Sequence, residues 1–442
     1  MVKEYLFMKI RLPVGLVLAC VFPTHSDASD QLPNILLILA DDVGVEPIGA
    51  YGGERWPTPH IDSLAGTGVK FHHCYSMPVC HPTRVCLLTG RYPFRLSSPW
   101  GSFPADHEKL TIANLLRNRG YRTAVAGKWQ LGLMRDDPQQ PERMGFDEWS
   151  VFGWHEGARY HNPMIYQNGK VREDTTGTYG PDLYVEFLAE FMQRCQRDEQ
   201  PFFAFYSMAL AHDVTDDLET QVPYVPGLNR WMDYGEMVVS MDDMVGRIVE
   251  TLETQGQRED TLILFTGDNG TAARSKLRHI SGRKYEYEKV FSMRNGQQIP
   301  GGKGTLMDIG THVPLLASWP GRISPGTTND SLVDFSDWLP TLAEVAGTEP
   351  GWSHDGHSFL SAATEQRDTS ARKFAFAESS RGSAWVRNQC YKLYADGRFF
   401  DVCNDPNERS ELRELSAQQQ VTRQELQSQL QSLMLPKKFL SR

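Results

Sequence analysis

Along most of the chain, short apolar runs alternate with stretches whose apolar residues recur at helical spacing. Ile35 to Ala40 is apolar without interruption, the pattern of a strand buried on both faces. Thr58-Pro59 opens a short helix, since proline suits a first turn, and Ile61, Leu64 and Ala65 share one face of it. Leu110 to Arg119 reads as a helix ended by Gly120, with a strand from Tyr121 to Ala126 behind it. Leu183, Phe187, Leu188 and Phe191 mark another helix before the strand Phe202 to Ser207. Val238, Met241, Val245, Ile248 and Leu252 form a long amphipathic helix before the strand Thr261 to Phe265. This repetition predicts an α/β fold, a large and mainly parallel sheet sandwiched by helices.

Past about residue 348 the pattern changes. Val386 to Val402 reads as an antiparallel hairpin, and the polar, Gln-rich stretch after Asn407 as helical, with Leu412, Leu415, Leu426, Leu430 and Leu433 as its apolar points. The expected division is a large α/β domain over residues 29–347 and a smaller C-terminal α+β subdomain, with antiparallel sheet and helix, over 348–442. The polar stretch Arg274 to Gln298 reads as a long surface loop. Asp396-Gly397 is a strong two-residue turn signal. Cys390 and Cys403 are equidistant from it, so a regular hairpin sets them opposite each other as a non-hydrogen-bonded pair and predicts a disulfide.

Composition narrows the classes. With 442 residues, 40% hydrophobic and 23% charged, the chain is an ordinary folded protein larger than one small domain. A net charge of −10 argues against nucleic acid as the main partner, while leaving room for a small anion in a locally basic cleft. Lys9 and Arg11 precede an apolar run, Leu12 to Phe22, too short for a stable membrane span. Ser26-Asp27-Ala28 follows as a cleavage site, so residues 1–28 read as a signal peptide and the protein as secreted or periplasmic. Met8 is an alternative start, and Cys20 an alternative lipoprotein site that Leu18 fits poorly. The other cysteines, 74, 80, 86, 195, 390 and 403, lack the paired spacing of a zinc site.

Three features converge on one place. Asp41-Asp42 follows the strand Ile35 to Ala40, and Asp268-Asn269 follows the strand Thr261 to Phe265. In an open α/β sheet both belong to the carboxyl rim, where ligands bind. Three carboxylates and an amide there suit a hard cation such as Ca²⁺. Either pair alone reads equally as a strand-end turn or a helix cap. The third feature is Cys80-His81-Pro82-Thr83-Arg84, followed by Leu87-Leu88-Thr89-Gly90. Pro82 and the leucines predict a helix start, with Cys80 at its positive end and Arg84 one turn on. A buried free thiol, or a disulfide from Cys80 to Cys74 or Cys86, is the alternative.

The segment Cys80 to Gly90 resembles the signature of the type I sulfatases, Cys-x-Pro-Ser/x-Arg followed by Thr-Gly, a family of the alkaline phosphatase superfamily. Thr58 to Ala65, Gly127 to Gly132, Thr266 to Gly270, Gly301 to Thr305, Val313 to Gly321, Asp355 to Ser358 and Tyr391 to Glu408 resemble further motifs of the family in the family's order. The resemblance implies a large mixed, alkaline phosphatase-like sheet and hydrolysis of sulfate esters on a sulfated small molecule or polysaccharide. It implies that a maturation enzyme converts Cys80 to formylglycine. Asp41, Asp42, Asp268 and Asn269 then correspond to calcium ligands, joined by an oxygen of the residue formed from Cys80. Arg84 corresponds to the group that holds the formylglycine diol, Lys128 and Lys303 to those that grip sulfate, and His212 to the acid that protonates the leaving alcohol.

The chain departs from the pattern at Gln130, where the family usually has histidine; an amide forms hydrogen bonds but is no base near neutral pH. His312 stands where the family often has arginine. Two other readings remain open: a phosphonate or phosphate ester hydrolase of the same superfamily, and a non-catalytic carbohydrate-binding relative. Specificity is expected in the loops around Trp154 to Tyr179 and Arg274 to Gln298, whose Trp154, Tyr160, Tyr166, Tyr285 and Tyr287 are candidates for stacking on sugar rings or for ordinary packing.

Overall fold

The structure, a computed structural model, describes residues 1, 32–213, 224–225, 230–281, 284–365, 372–379 and 382–434. The chain divides after Gln31, and the unit Leu32–Arg442 holds everything that follows. The expected signal peptide, Met1 apart, lies outside the described residues.

The strands run in chain order as β1 (Asn34–Ala40), β2 (Val69–Tyr75), β3 (Arg122–Trp129), β4 (Glu148–Gly153), β5 (Tyr166–Gln167), β6 (Lys170–Val171) and β7 (Phe202–Ser207). A small pair, β8 (Tyr224–Val225) and β9 (Arg230–Trp231), precedes β10 (Thr261–Gly267). Then come β11 (Arg274–Ser281), β12 (Lys284–Lys289), β13 (Phe291–Arg294), β14 (Gln297–Pro300), β15 (Leu315–Ser318) and β16 (Thr327–Asp334). The last four are β17 (Ala375–Glu378), β18 (Ala384–Arg387), β19 (Tyr391–Tyr394) and β20 (Phe399–Asp401).

Ten of them form one sheet in the order β16-β2-β15-β10-β1-β7-β3-β4-β5-β6. Its centre, from β10 through β1, β7 and β3 to β4, is parallel. The inserted β15 runs against both of its neighbours, which makes the sheet mixed. β1 shows why its sequence is uniformly apolar. Ile35, Leu37 and Leu39 join the core on one face, and Leu36, Ile38 and Ala40 join the core on the other. Helices Pro59–Gly66, Gly180–Arg197 and Tyr234–Thr254 cover the second face; helices Cys80–Thr89, Ile112–Asn118 and Trp338–Val345 cover the first. The α/β expectation holds. A four-stranded antiparallel sheet, β17-β18-β19-β20, and helix Ala417–Met434 form the smaller C-terminal region. No helix of the described residues is long and apolar enough to cross a membrane.

One expectation is overturned. Arg274 to Gln298 is not a loop but two antiparallel hairpins, β11–β12 and β13–β14. Its strands are too polar to show an apolar alternation, because neither face of β11 or β12 is fully covered. The legible signal was Asn295-Gly296, whose φ values of 51° and 67° form the two-residue turn between Arg294 and Gln297.

The C-terminal hairpin closes differently from the sequence reading but reaches the same bond. Its loop has three residues, Ala395 to Gly397, with Gly397 at φ 94°. The register therefore shifts by one, Tyr391 facing Asp401 and Cys390 O accepting from Val402 N–H at 2.8 Å. Cys403 reaches Cys390 from the turn beyond β20, with Cα atoms 4.8 Å apart, and the disulfide forms. Cross-linking residues 13 apart restricts the unfolded chain by about 3 kcal/mol. Cys390→Ser is therefore expected to lower unfolding stability by about 2–3 kcal/mol, read from denaturant midpoints. A non-reducing digest should yield the linked peptide; its absence refutes the bond.

Candidate active site

Strand register brings the site together. Ala40 of β1 pairs with Gly267 of β10, and the pairing runs on as Asp268 N–H donates to Ala40 O at 2.9 Å. Asp41-Asp42 and Asp268-Asn269 thus leave the sheet side by side. On the other flank of β1, Met208 N–H donates to Leu39 O and Asp41 N–H to Leu210 O, both at 2.9 Å, which draws the segment ending in His212 alongside Asp41. β3 lies beyond β7 and delivers Lys128 immediately after Gly127, the partner of Ser207. Gly127 has φ 101°, and a Cβ there would stand 2.0 Å from Ser207 O, so only glycine permits this approach.

Cys80 arrives from the opposite side. It is the first residue of helix Cys80–Thr89, which ends at Gly90 with φ 67°. It is buried and free, as are Cys74 and Cys86, so the disulfide alternatives do not occur. Gly304 N–H donates to Pro78 O at 2.8 Å and fixes the Lys303 loop to the approach to Cys80.

Each carboxylate has its own cation. Lys128 Nζ lies 2.6 Å from Asp41 Oδ2, Lys303 Nζ 2.6 Å from Asp42 Oδ1, and Arg84 Nη2 2.7 Å from Asp268 Oδ2. Asn269 Nδ2 donates to Asp42 Oδ1 at 2.9 Å, and Asp42 N–H to Asp268 Oδ1 at 3.1 Å. Asp42 itself has φ 64°, a conformation Asp tolerates better than most residues. Its carbonyl is held by Tyr234 OH at 2.8 Å. His212 Nδ1–H donates to Asp213 O at 2.6 Å, and Nε2 stands 3.8 Å from Asp42 Oδ2.

Burial alone would raise the Asp41 carboxyl, but Lys128, with Arg84 and Lys303 behind it, holds it below the usual carboxylate range. Asp268 is pushed up, first by burial and then by the charge of Asp41. His212 is pushed down to about 3 by burial and by Lys303, so its imidazole is neutral. Lys303 is held well above the ordinary lysine range, because Asp42 outweighs burial.

The donor set fits a hard cation. Asp41 Oδ1 and Asn269 Oδ1 are buried oxygens with no hydrogen-bond partner. Ligand atoms of Asp41, Cys80 and Asp268 lie within 4.8 Å of one another, as do those of Asp41, Asp42 and His212. Orphaned oxygens among carboxylates are what oxygen-seeking Ca²⁺ requires, and what hydrogen bonding alone leaves unexplained. Gln130 follows β3, buried, with Oε1 likewise unpartnered.

One further residue matters that the sequence reading passed over. Ser207 ends β7, takes a short hydrogen bond from Arg84 Nη1, and donates to Lys128 O at 2.7 Å. A polar residue closing the run Phe202 to Tyr206 at the carboxyl rim was its signal. Tyr160 is a core residue rather than a stacking platform; its hydroxyl bonds Ala209 O at 3.0 Å and His212 O. Tyr166 is also core, whereas Tyr287 is exposed and lines a cleft of about 400 Å³ with Asp42, His212, Asp213, Arg274, Lys276 and Lys303. His312 lies in a different cleft with Tyr75, Asp308 and Arg387, its Nε2–H donating to His72 O at 2.8 Å.

Known proteins share this arrangement of sequence and fold. The Sulfatase family model matches residues 33–348, and the model described as N-sulphoglucosamine sulphohydrolase, C-terminal, matches residues 302–435. Arylsulfatase A of Homo sapiens is 30% identical over 400 residues, 82% of this chain and 74% of that protein. N-acetylgalactosamine-6-sulfatase of Homo sapiens is 30% identical over 357 residues, 74% of this chain and 64% of that protein. The crystal structure of Ps i-CgsB, also solved in complex with k-i-k-neocarrahexaose, is similar at 25% identity. Without that ligand it aligns at a TM-score of 0.73 over 91% of this chain and 93% of that one. With the family match extending over well more than half of its length, the chain belongs to the type I sulfatases and is a sulfatase.

Proposed function

We propose that this sulfatase hydrolyses a sulfated carbohydrate through a formylglycine made from Cys80, beside a calcium ion held by Asp41, Asp42, Asp268, Asn269 and an oxygen of the modified residue. The observation that carries the reading is the pair of orphaned buried oxygens, Asp41 Oδ1 and Asn269 Oδ1, in the carboxylate cluster that adjoins Cys80. When present, calcium supplies a hard positive charge that acidifies an oxygen it contacts, and hydrated formylglycine supplies two hydroxyls, one to attack sulfur and one to expel sulfate.

The chain's own residues do the rest. Lys128 and Lys303, aligned by Asp41 and Asp42, grip the sulfate oxygens and disperse the charge that grows in the transition state. Arg84 is four residues beyond Cys80 on the same helix and is anchored by Asp268 and Ser207, so it holds the modified residue in place. An arriving anion favours the protonated form of His212, which passes a proton to the leaving alcohol. Gln130 contributes hydrogen bonds and no base. The carbohydrate is supported by likeness to N-acetylgalactosamine-6-sulfatase and to Ps i-CgsB. A formylglycine-generating enzyme is the partner this reading needs. It also takes residues 1–28 as an export signal, 29–347 as the catalytic domain and 348–442 as the C-terminal subdomain.

Protein co-expressed with a maturation system is expected to release sulfate from members of a panel of sulfated mono- and oligosaccharides. Hydrolysis of phosphonate or phosphate esters with no sulfate release overturns the reading in favour of the sister activity. The peptide spanning Cys80 should carry an aldehyde or its hydrate by mass spectrometry. Cys80→Ala should lower turnover at least ~10³-fold with the melting temperature retained; retained turnover rules the nucleophile out. Chelation should lower unfolding stability and calcium restore it by about 2.7 kcal/mol at a hundredfold excess over Kd, read as a rise in melting temperature. Asn269→Ala should shrink that calcium-dependent rise, and a rise of full size removes Asn269 from the ligand set.

A further inference from the structure

The cleft before the carboxylate cluster carries cations beyond those paired with its three acids. Lys303 and the neutral His212 lie at Asp42, and Asp213 lines the cleft beside them, while Arg274, Lys276 and Tyr287 enter it from the β11–β12 hairpin. Strand alternation sets Arg274 and Lys276 on one face of β11, with Ser275 buried on the other. Lys276 is directly opposite Tyr287 on β12. The Arg274 guanidinium lies 4.4 Å from the Tyr287 ring centre, and the Lys276 ammonium 4.6 Å from that of Tyr285. Among the described residues Arg274 forms no ion pair, and its guanidinium rests on the Tyr287 ring instead.

The hairpin is fixed relative to the reacting centre at two points. Lys276 N–H donates to Asp213 Oδ2 at 3.2 Å, next to His212, and Tyr285 packs on Trp231 with ring centres 5.9 Å apart. In a chain of net charge −10, Arg274 and Lys276 place two cations on one cleft wall, with Asp213 the neighbouring acid. Two strand positions span roughly 7 Å, which lets both charges flank a single oxyanion.

We propose that Arg274 and Lys276 bind a second sulfate group of the substrate, so that the chain selects a multiply sulfated carbohydrate over a singly sulfated one. This rests on the proposed action on sulfated carbohydrate. Arg274 offers a planar fork to two oxygens of the second sulfate, Lys276 a point charge, and Tyr287 a flat surface for the sugar between the two sulfates.

Binding is measured on the full Cys80→Ala chain by calorimetry, with one disaccharide in monosulfated and disulfated form. The disulfated form is expected to bind about tenfold more tightly or better, and the advantage to shrink as NaCl is raised. Adding Arg274→Ser and Lys276→Ser should bring the ratio near one, whereas Arg274→Lys with Lys276→Arg should retain most of it. Equal or undetectable affinity for the two forms, or a preference that survives the serine substitutions, overturns the proposal. Because no turnover is read, this outcome is separate from a failure to release sulfate in the panel above.

Discussion

Three buried carboxylates in one small volume are the constraint on which this structure turns. Asp41, Asp42 and Asp268 have almost no exposed surface, and an oxygen of Asp41 stands within 4.8 Å of one on Asp42 and of one on Asp268. At such separations two like charges repel by about 3–4 kcal/mol even with an effective dielectric near 20. The chain answers with three cations, Lys128, Lys303 and Arg84, one to each acid. These groups are structural and chemical at once. Removing one would leave an uncompensated buried charge, at a cost of about 3–5 kcal/mol. The same positive groups are the ones best placed to receive an anionic ester.

Holding that balance takes elements far from it. Parallel register across β10, β1, β7 and β3 sets four strand ends at one level. The Lys303 loop is held from the other end of the chain. Buried Arg387 pairs with Asp308 at 2.7 Å, and Lys392 pairs with Asp308 at 3.0 Å while donating to Leu306 O at 2.7 Å. The hydroxyl of Tyr394 reaches the same carbonyl at 3.1 Å. The small C-terminal sheet thereby acts as a brace for a residue of the rim.

What the sequence disclosed follows from what each pattern measures. β1 and β10 were legible because a strand covered on both faces must be apolar throughout, and the acids that follow it stand out. Cys80 was legible through Pro82 and the helix it starts. The β11–β12 hairpin was not, because a strand open to solvent carries no alternation, and Arg274, Lys276 and Tyr287 look like loop composition until paired. Ser207 was hidden for another reason: its role consists of bonds with Arg84 and Lys128 O, contacts that only the assembled sheet creates. The Cys390–Cys403 bond was expected from symmetry about a turn, and it forms although the turn has three residues and the register differs by one. Proximity survived the slip because Cys403 lies past the end of the strand, where the chain is free to swing.

The burial of Cys80, with 2% of its surface exposed, also sets an order of events. In the finished fold this thiol is enclosed at the start of helix Cys80–Thr89, so whatever reaches it from solvent does so most easily before the fold closes. The wall that closes over it includes Arg84 locked to Asp268, 184 residues further along the chain. At ribosomal speeds of about 5–20 residues per second, that separation leaves roughly 10–40 s in which Cys80 has been made and its enclosure has not. The spacing of the two residues along the gene is in effect a timer for how long Cys80 stays open to solvent.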